Sequence, residues 1–320
     1  MEELKLGIIT CLHGNLKAAR ALAKFYSKSD VDAIIFNGDT NKDGDENSIY
    51  MVLKHFKKIK KPTYITPGSH ETYSGYKNSF KKIKNNYIKD CTLSKNRKIK
   101  LKGYHLVFLP GSDVKVYDAG FQLIGSKSHW LKRLKRLTKK YGNPYEGIID
   151  FFHIDEIKKY VTDPNKTVLI CHVPPRFFKK NSIDVAKFGR PKRSFNLKTK
   201  DVAKKLRIRI KSTKIDKDSI FIIKKARKLI KKGYPIEVVT KNVGNIYLKR
   251  IIKKLKIKKF ICGHIHEAGQ KANDLKGNLI KQNIWSKELF HNAAPSKDGY
   301  SGIFTICGDK AKYKNIKVRI

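Results

Sequence analysis

The sequence is short of acidic residues and of long apolar runs, and each shortage excludes a class of protein. Its 320 residues include 27 Asp and Glu against 72 Lys and Arg, which gives a formal net charge of +45. The mean hydropathy is -0.50. The longest apolar runs, such as residues 106–110, are of strand length and far below the roughly 18 residues of a membrane-spanning helix. We therefore expect a protein that does not cross a membrane.

We expect neither a signal peptide nor a disulfide framework in this sequence. It begins Met-Glu-Glu-Leu-Lys, without the basic and apolar regions of a signal peptide. The 5 cysteines are an odd number at irregular spacing, which favours reduced thiols over disulfides. We therefore expect a cytoplasmic protein.

The excess of positive charge indicates the class of partner. A field of this sign attracts polyanions, so we expect a phosphorylated small molecule or a nucleic acid as the partner. AT-rich coding would explain the abundance of Lys, Ile and Asn, but it would enrich Glu as well, and acidic residues are scarce. The charge gives neither a fold nor an oligomeric state.

Strand-length apolar segments alternate with helical patterns in the first part of the chain. Strands are predicted at residues 4–10, 31–36 and 64–65, with helices beginning near Leu16 and spanning 49–59. This alternation predicts an α/β fold with a largely parallel sheet. Further strands are predicted at residues 105–109, 121–124, 167–171 and 260–262. The C-terminal part, with strands near 279–282, 289–292, 302–307 and 316–320, is predicted to be antiparallel.

Residues 176–217 form a basic insertion in which Phe177, Phe178, Phe188 and Phe195 are interleaved with lysines and arginines. This composition is typical of surfaces that bind single-stranded nucleic acid. A solvated loop with a few buried anchors explains it equally well. A second basic segment, residues 130–141, is predicted to be an ordinary amphipathic helix.

Side chains that can bind metal ions or substrate follow five of the predicted strands. The five loops are residues 11–15 (CLHGN), 37–39 (NGD), 67–71 (PGSHE), 171–175 (CHVPP) and 263–267 (GHIHE). Open α/β sheets bind their ligands at the carboxyl ends of the strands, so these loops are expected to converge.

The five loops, in this order, resemble the motifs of the calcineurin-like metallophosphoesterases, in particular the intracellular, archaeal-type members. The resemblance extends from about residue 4 to about residue 307. It implies a four-layer αββα sandwich of the metallo-dependent phosphatase type, which we expect to form one domain over residues 1–320 with the basic insertion inside it. A single motif such as GHxH would be weak evidence, but five in order are specific.

The resemblance also implies a site with two metal ions and assigns residues to it. His13, Asp39 and His266 would hold one ion, while Asp39, His172 and His264 would hold the other. Asp39 would bridge the two ions, and His70 would donate a proton or stabilise charge. Cys11 and Ser69 stand at two further ligand positions. Asn15, Arg176 and His291 are predicted to contact the substrate.

The chain departs from the family pattern at two of these positions. Cys11 replaces an Asp, and a thiolate ligand favours soft or borderline ions, so we expect Mn, Fe or Zn rather than Mg. Cys11 could equally be a small buried residue at the end of a strand. Ser69 replaces an Asn and has the shorter side chain, so we expect it to act through water or to leave the second ion with fewer ligands.

The reaction implied is hydrolysis of a phosphate ester by a hydroxide that the two ions activate. A phosphodiester is slightly favoured over a phosphomonoester because of the basic field. The alternative is a weakly active or inactive protein of this fold that binds nucleic acid through its basic surface.

Overall fold

Two large β-sheets lie face to face at the centre of the protein. The computed structural model describes residues 2–42, 45, 47–113, 120–141, 148–197 and 213–320. The first sheet has, in spatial order, the strands β20 (Lys310–Lys317), β19 (Tyr300–Cys307), β1 (Leu4–Ile9), β2 (Ala33–Asn37), β3 (Thr63–Thr66) and β4 (Ile88–Asp90). The second has β17 (Leu279–Ile280), β16 (Lys271–Asn273), β18 (Leu289–Asn292), β15 (Lys259–Cys262), β9 (Thr167–Cys171), β6 (Tyr104–Leu109) and β5 (Lys98–Leu101).

Each large sheet contains a block of four parallel strands. Strands β1 to β4 pair in parallel, and so do β6, β9, β15 and β18. The remaining pairs of both sheets are antiparallel, including β1 with β19 and β19 with β20. The predicted α/β fold is thus confirmed. The predicted antiparallel C-terminal part is confirmed for β17, β19 and β20. Strand β18 is antiparallel to β16 but also pairs in parallel with β15, which the prediction did not include.

Alternate residues of the central strands fill different layers of the core. Ile8 and Ile170 belong to the cluster between the two sheets. Val107 and Leu169 belong to the cluster formed with helical residues. Both faces of the central strands are therefore covered, as in the predicted αββα sandwich. The helices are α1 (Leu16–Lys28), α2 (Ser48–Lys54), α3 (Tyr73–Lys82), α4 (Lys127–Tyr141), α5 (Ile223–Lys231) and α6 (Ile246–Lys254).

A small module is inserted between β9 and β15. Its antiparallel sheet has the order β13 (Phe221–Ile222), β10 (Val185–Pro191) and β14 (Ile236–Asn242), and α5 packs on one face. We call these three strands and α5 the inserted module. The predicted boundary near residue 217 falls before β13, so the insertion extends further than predicted. Residues 198–212, which carry part of the predicted basic run, lie outside the described residues.

Two strand pairs complete the fold. The first consists of β7 (Phe121–Ile124) and β8 (Asp150–His153), which are parallel, and the second of β11 (Phe195–Leu197) and β12 (Thr213–Ile215), which are antiparallel. The strand predicted at residues 121–124 exists, but it belongs to this separate pair.

The helix predicted at 49–59 ends at Lys54, and the last predicted strand is β20 at Lys310–Lys317. That the chain forms one domain stays a prediction. In the described part of the chain, no helix has the length and apolarity needed to cross a membrane.

Candidate metal centre

Strand ends from both large sheets meet at one point. The side-chain amide of Asn37, the last residue of β2, donates hydrogen bonds to the carbonyl oxygens of Cys171 (3.1 Å) and Ile261 (3.4 Å) in the second sheet. The loops that follow β1, β2, β3, β9 and β15 are those of the five sequence motifs. The expected convergence at the carboxyl ends of the strands is therefore found.

The floor of the site is formed by Cys11, Asp39 and His172, of which 0%, 2% and 0% respectively is exposed. Their potential ligand atoms all lie within 4.8 Å of one another. Two further groups share this property, Cys11 with His13 and His266, and His13 with Asp39 and His70. Three histidines, His13, His70 and His266, form the rim of the site and are only partly buried. An approaching molecule therefore meets imidazole rings first and the carboxylate and thiol beneath them.

Asp39 lies at the centre of the hydrogen bonds of the site. Its Oδ1 accepts from the backbone N–H groups of Ser69 (2.6 Å) and His70 (3.1 Å). The Ser69 hydroxyl lies 3.0 Å from each carboxylate oxygen and donates to them. Burial opposes ionisation, but His172, His70 and His13 lower the pKa of Asp39 well below its usual value. The carboxylate is therefore ionised and fixed in orientation.

His172 has its two ring nitrogens in different surroundings. Nδ1 lies 2.7 Å from the carbonyl oxygen of Asn37, and because a carbonyl only accepts, Nδ1 carries the proton. Nε2 lies 3.0 Å from Oδ2 of Asp39. A lone pair facing a carboxylate at this distance needs a cation between them, which is either a second proton or a metal ion. Burial opposes protonation, but Asp39 raises the pKa of His172 above its usual value.

His13 and His266 meet over Cys11. Their Nε2 atoms are 3.4 Å apart, and their ring centroids are 5.3 Å apart in an edge-to-face arrangement. Burial lowers the pKa of His13 to about 4 and that of His266 to about 3. Both imidazoles are therefore neutral at pH 7, which is the form that binds a metal ion.

His264 is held to the site through its backbone. Its N–H donates to Sγ of Cys11 at 3.1 Å, and its ring lies 5.1 Å from the His172 ring between centroids. Its Nδ1 is buried, and no described group hydrogen-bonds to it. Burial and the neighbouring His172 lower the pKa of His264 to about 3. His264 is predicted to hold the second ion, but it is outside the three ligand groups described above.

Left-handed backbone places several of these residues. Cys11, His13, Asp39 and His264 have φ values of 56°, 47°, 53° and 68°. Residues other than glycine adopt such angles only at an energetic cost, and these cases cluster at functional sites. Gly38 lies among them at φ 79°, and a Cβ there would be 2.5 Å from Nδ1 of His172.

Glu71 organises two of the loops from beneath. It is 1% exposed and accepts from the backbone N–H groups of Asp39 (3.2 Å), Thr40 (2.6 Å) and Gly68 (2.7 Å). Burial and the nearby Asp39 charge raise the pKa of Glu71. Glu71 thus fixes the backbone that carries Asp39 and Ser69, whereas Glu267 is exposed.

A family comparison covers most of the chain. The model of the calcineurin-like phosphoesterases matches residues 4–268. The chain belongs to this family. No curated protein matches the sequence at a significant level.

Two solved structures of low identity share the fold of this chain. TT1561 of Thermus thermophilus is 11% identical, with 99% of this chain and 100% of that chain covered and a TM-score of 0.54. A second structure is 12% identical, with 99% and 100% covered and a TM-score of 0.56. GAP50, the anchor in the inner membrane complex of Plasmodium, is 10% identical, with 99% and 89% covered and a TM-score of 0.44.

The donor atoms of this phosphoesterase fit the divalent ions that the family binds. Within each of two pairs, electron-rich atoms face each other. Nε2 of His172 lies 3.0 Å from Oδ2 of Asp39, and Nε2 of His13 lies 3.4 Å from Nε2 of His266. The buried Nδ1 of His264 points to a third donor that needs a cation. Cys11, His13, Asp39 and His266 suit one ion. For a second ion, Asp39, His172 and His264 remain, since the Ser69 hydroxyl is directed at Asp39.

The residues predicted to contact the substrate lie in three different settings. Arg176 is exposed beside the loop that carries His172. Asn15 uses its Oδ1 to cap α1, accepting from the Ala18 N–H, and its Nδ2 to donate to the Lys297 carbonyl. Both polar groups of Asn15 are therefore engaged by the backbone, so it positions a loop, and its substrate contact stays a prediction.

His291 corrects a prediction. It is 0% exposed and lies between the two sheets, where its ring is 4.7 Å from the Tyr313 ring between centroids. Burial lowers the pKa of His291 to about 4. His291 is thus a neutral core residue that a substrate cannot reach.

Lys297 lies beside the site although no motif contains it. Its backbone N–H donates to the carbonyl oxygen of Cys11 at 3.1 Å. Burial of the two imidazoles is the main cause of the lowered pKa values of His13 and His266, and the positive charge of Lys297 adds to it. It follows β18, which runs parallel to β15, so its loop also leaves a carboxyl end. The parallel direction of β18 was the signal that could have identified it.

Proposed function

We propose that this member of the calcineurin-like phosphoesterases hydrolyses phosphodiesters at a centre of two divalent ions. The observation that carries the proposal is the set of three overlapping ligand groups built on Cys11, Asp39 and His13. A buried ionised carboxylate among neutral imidazoles is a suitable host for divalent cations. The rim of histidines leaves the centre open to a phosphate ester.

The residues of the site have different roles in the proposed reaction. When bound, two divalent ions supply charge that neutralises a phosphoryl group and lowers the pKa of a water molecule. The water oxygen forms a bond to phosphorus as the bond to the ester oxygen breaks. His70, whose Nε2 lies 3.8 Å from Oδ2 of Asp39, gives a proton to the departing oxygen. Lys297 attracts the phosphate group from the side of His13 and His266.

Cys11 is proposed as a metal ligand. Burial, and then Asp39, raise the pKa of the free thiol, so without a cation Cys11 is a protonated core residue. Metal binding favours the thiolate, which prefers zinc and iron to magnesium. The position of Sγ in two of the three ligand groups supports this role. We therefore propose Mn, Fe or Zn as the functional ions.

A phosphodiester is favoured over a monoester on electrostatic grounds. A protein of net charge +45 attracts polyanionic chains more strongly than small phosphates. His70 is only partly buried, with 23% of its side chain exposed, so it leaves room for a substituent on the phosphate.

The test is hydrolysis of bis(p-nitrophenyl) phosphate and p-nitrophenyl phosphate by metal-free protein reconstituted separately with Mn, Fe, Zn and Mg. We expect turnover of the diester with Mn, Fe or Zn and little with Mg. Asp39→Asn keeps the shape of the side chain and removes its charge, so it serves as the control for contaminating enzymes. Equal turnover by the Asp39→Asn variant, or no turnover with any metal, would overturn the proposal.

A second candidate function is nucleic-acid binding with little hydrolysis. The observation that favours it is the Ser69 hydroxyl, which is committed to both oxygens of Asp39 and leaves the second ion with fewer ligands. A protein of this kind would bind oligonucleotides whether or not metal is present. The same reconstitution separates the two candidates, because only the enzyme gains activity with metal.

A further inference from the structure

The inserted module packs directly on the loop that carries His266. Ala186 and Phe188 of β10 form a buried cluster with Ile265 and Ala268, the residues on either side of the His266-Glu267 pair. The hydrophobic contact fixes the position of the module relative to the metal centre. A ligand bound to the exposed surface of the module next to this contact is therefore held beside the loop that carries His266.

A short segment joins the His172 loop to the module, and it presents one aromatic ring to solvent. Phe178 is 76% exposed, whereas its neighbour Phe177 is 1% exposed and packs edge-to-face on Phe290. The Phe177 N–H donates to Oδ2 of Asp184 at 2.9 Å, and the Lys179 carbonyl accepts from Asn242 at 3.1 Å. The backbone on both sides of Phe178 is therefore anchored, and the exposed ring has a rigid base.

Exposed cations flank this ring along the chain. Arg176, Lys179 and Lys180 are exposed on the same segment, and Lys241 is exposed on β14 opposite Ala186. Among the described residues of the module, the one ion pair joins Arg190 to Glu237. The segment therefore offers positive charge on either side of a flat apolar ring.

The far side of the module adds to the same field. Helix α5 exposes Lys224, Lys225, Arg227, Lys228 and Lys231, and residues 219–236 contain no Asp or Glu. Like charges three and four residues apart on a helix repel each other. A polyanion bound near the module would relieve this repulsion.

We propose that the segment of residues 176–180 and the adjoining face of the inserted module bind single-stranded nucleic acid and present it to the metal centre. Phe178 stacks on a base, and Arg176 and Lys180 contact phosphates. An exposed ring among cations suits a chain that has both planar bases and regular negative charge. An acidic peptide would use the cations but not the ring. This inference rests on the proposed function, since it names the substrate class.

The distance to the metal centre is compatible with this path. Phe178 follows His172 by six residues, and six residues of extended chain span at most about 20 Å. A strand stacked on Phe178 therefore has phosphates within a few nucleotides of the site.

The test is fluorescence anisotropy of a labelled mixed-sequence 20-nucleotide single strand, with the wild-type chain in chelator and at several salt concentrations. We expect Phe178→Ala to weaken binding about tenfold without changing the salt dependence. We expect Arg176→Gln/Lys180→Gln to reduce the slope of log K against log salt by up to about 1.4, at about 0.7 per lost phosphate contact.

Two matched controls lie elsewhere on the chain. Ile284→Ala removes an apolar side chain that is 55% exposed, and Lys24→Gln/Lys28→Gln removes two charges from α1. Neither control is expected to change affinity by more than about twofold, given that a single base–aromatic contact is worth more. Wild-type affinity in Phe178→Ala, or an equal loss in the α1 variant, would overturn the inference. Tighter binding of a duplex, or full competition by poly-glutamate, would also overturn it.

A second measurement separates this inference from the proposed function. If Phe178→Ala hydrolyses bis(p-nitrophenyl) phosphate like the wild type but cleaves the oligonucleotide about tenfold less well, both stand. If the wild type cleaves nothing while Phe178→Ala still weakens binding, the binding surface stands and the proposed hydrolysis fails. If Phe178→Ala cleaves the oligonucleotide as well as the wild type does, the surface is not a substrate site.

Discussion

The backbone N–H of His264 donates a hydrogen bond to Sγ of Cys11 at 3.1 Å, although 253 residues separate the two in the chain. This contact joins the first motif loop to the fifth and fixes where the sulfur atom points. A sulfur atom held between His13, His266 and Asp39 replaces the carboxylate oxygen that the family pattern has at this position. Under the proposed function, the preference of the site for particular metal ions therefore depends on this one thiol.

The first prediction concerns thiolate ligation by Cys11. We expect the Co²⁺-loaded wild type to show a sulfur-to-cobalt charge-transfer band in the near ultraviolet, because the metal ion binds the thiolate. Cys11→Asp should bind Co²⁺ without this band, while Cys307→Ser, which alters a half-buried thiol outside the site, should retain it. Absorption spectroscopy of the three proteins is the measurement, and the same band in Cys11→Asp would show that another cysteine is the ligand.

The second prediction concerns Ser69. In Ser69→Asn, an amide oxygen can reach the second ion, as in the family pattern, so we expect roughly tenfold tighter binding of that ion. Metal stoichiometry by mass spectrometry, across a titration of Mn²⁺, is the measurement. Ser69→Ala serves as the control, because it removes the hydroxyl bonds to Asp39 without adding a ligand. A folded Ser69→Asn variant that binds no more metal than Ser69→Ala would contradict the prediction.

The third prediction concerns the proton given by His70. We expect His70→Asn to lower kcat by roughly 10²–10⁴-fold for an alkyl phosphodiester, whose leaving group needs a proton. The loss should be much smaller for a p-nitrophenyl ester, because p-nitrophenolate leaves without protonation. Rates across a series of leaving groups are the measurement. A loss of the same size for every leaving group would mean that His70 acts by positioning or by charge alone.

The fourth prediction concerns the side chain of Lys297. Its backbone N–H donates to the carbonyl oxygen of Cys11 and so places the residue beside the site. We expect Lys297→Met to raise KM by about tenfold with a smaller change in kcat, because a charged hydrogen-bonding group contributes about 1.5–3 kcal/mol to binding. Lys297→Arg keeps the charge and should restore most of the affinity. An unchanged KM in Lys297→Met would show that this ammonium does not contact the substrate.

Residue type and strand order were enough to predict which side chains gather at the centre. Asp39, His13 and His172 follow predicted strands, and the carboxyl ends of parallel strands share one edge of a sheet. The orientation of residues and the direction of strand β18 explain why His291 was assigned wrongly and why Lys297 was not identified. Leu289 and Ala293 line the core between the sheets, and His291 shares their face because side chains alternate along a strand. Lys297 was missed because β18 was expected to be antiparallel.

Hydrogen bonds between loops could not be predicted from the sequence. The Ser69 hydroxyl is directed at both oxygens of Asp39, and Glu71 binds three backbone N–H groups. Both depend on how two loops from different strands approach each other, and local sequence patterns contain no information about that geometry. The left-handed φ of Asp39 could not be predicted either, because contacts with the other loops of the site hold this angle and the local sequence does not favour it.

The last prediction concerns a buried charge away from the metal centre. Lys259, at the start of β15, is 0% exposed, and its Nζ donates to the Asn165 carbonyl at 2.7 Å. Burial lowers the pKa of Lys259 to about 8 from 10.5. Between these values the unfolded chain binds more protons than the folded one, so the free energy of unfolding rises with pH. Over the whole window this gain is on the order of 3 kcal/mol.

Urea unfolding of the wild type and of Lys259→Met between pH 7.5 and 10.5 measures this contribution. The difference in unfolding free energy, wild type minus Lys259→Met, is expected to increase with pH, because the tyrosines and thiols that titrate in this range are common to both proteins. Lys259→Arg is the companion variant. Arginine stays charged throughout this range, so the difference between Lys259→Arg and Lys259→Met should not change with pH. A constant difference between wild type and Lys259→Met would show that the Lys259 ammonium keeps its ordinary pKa in the folded protein.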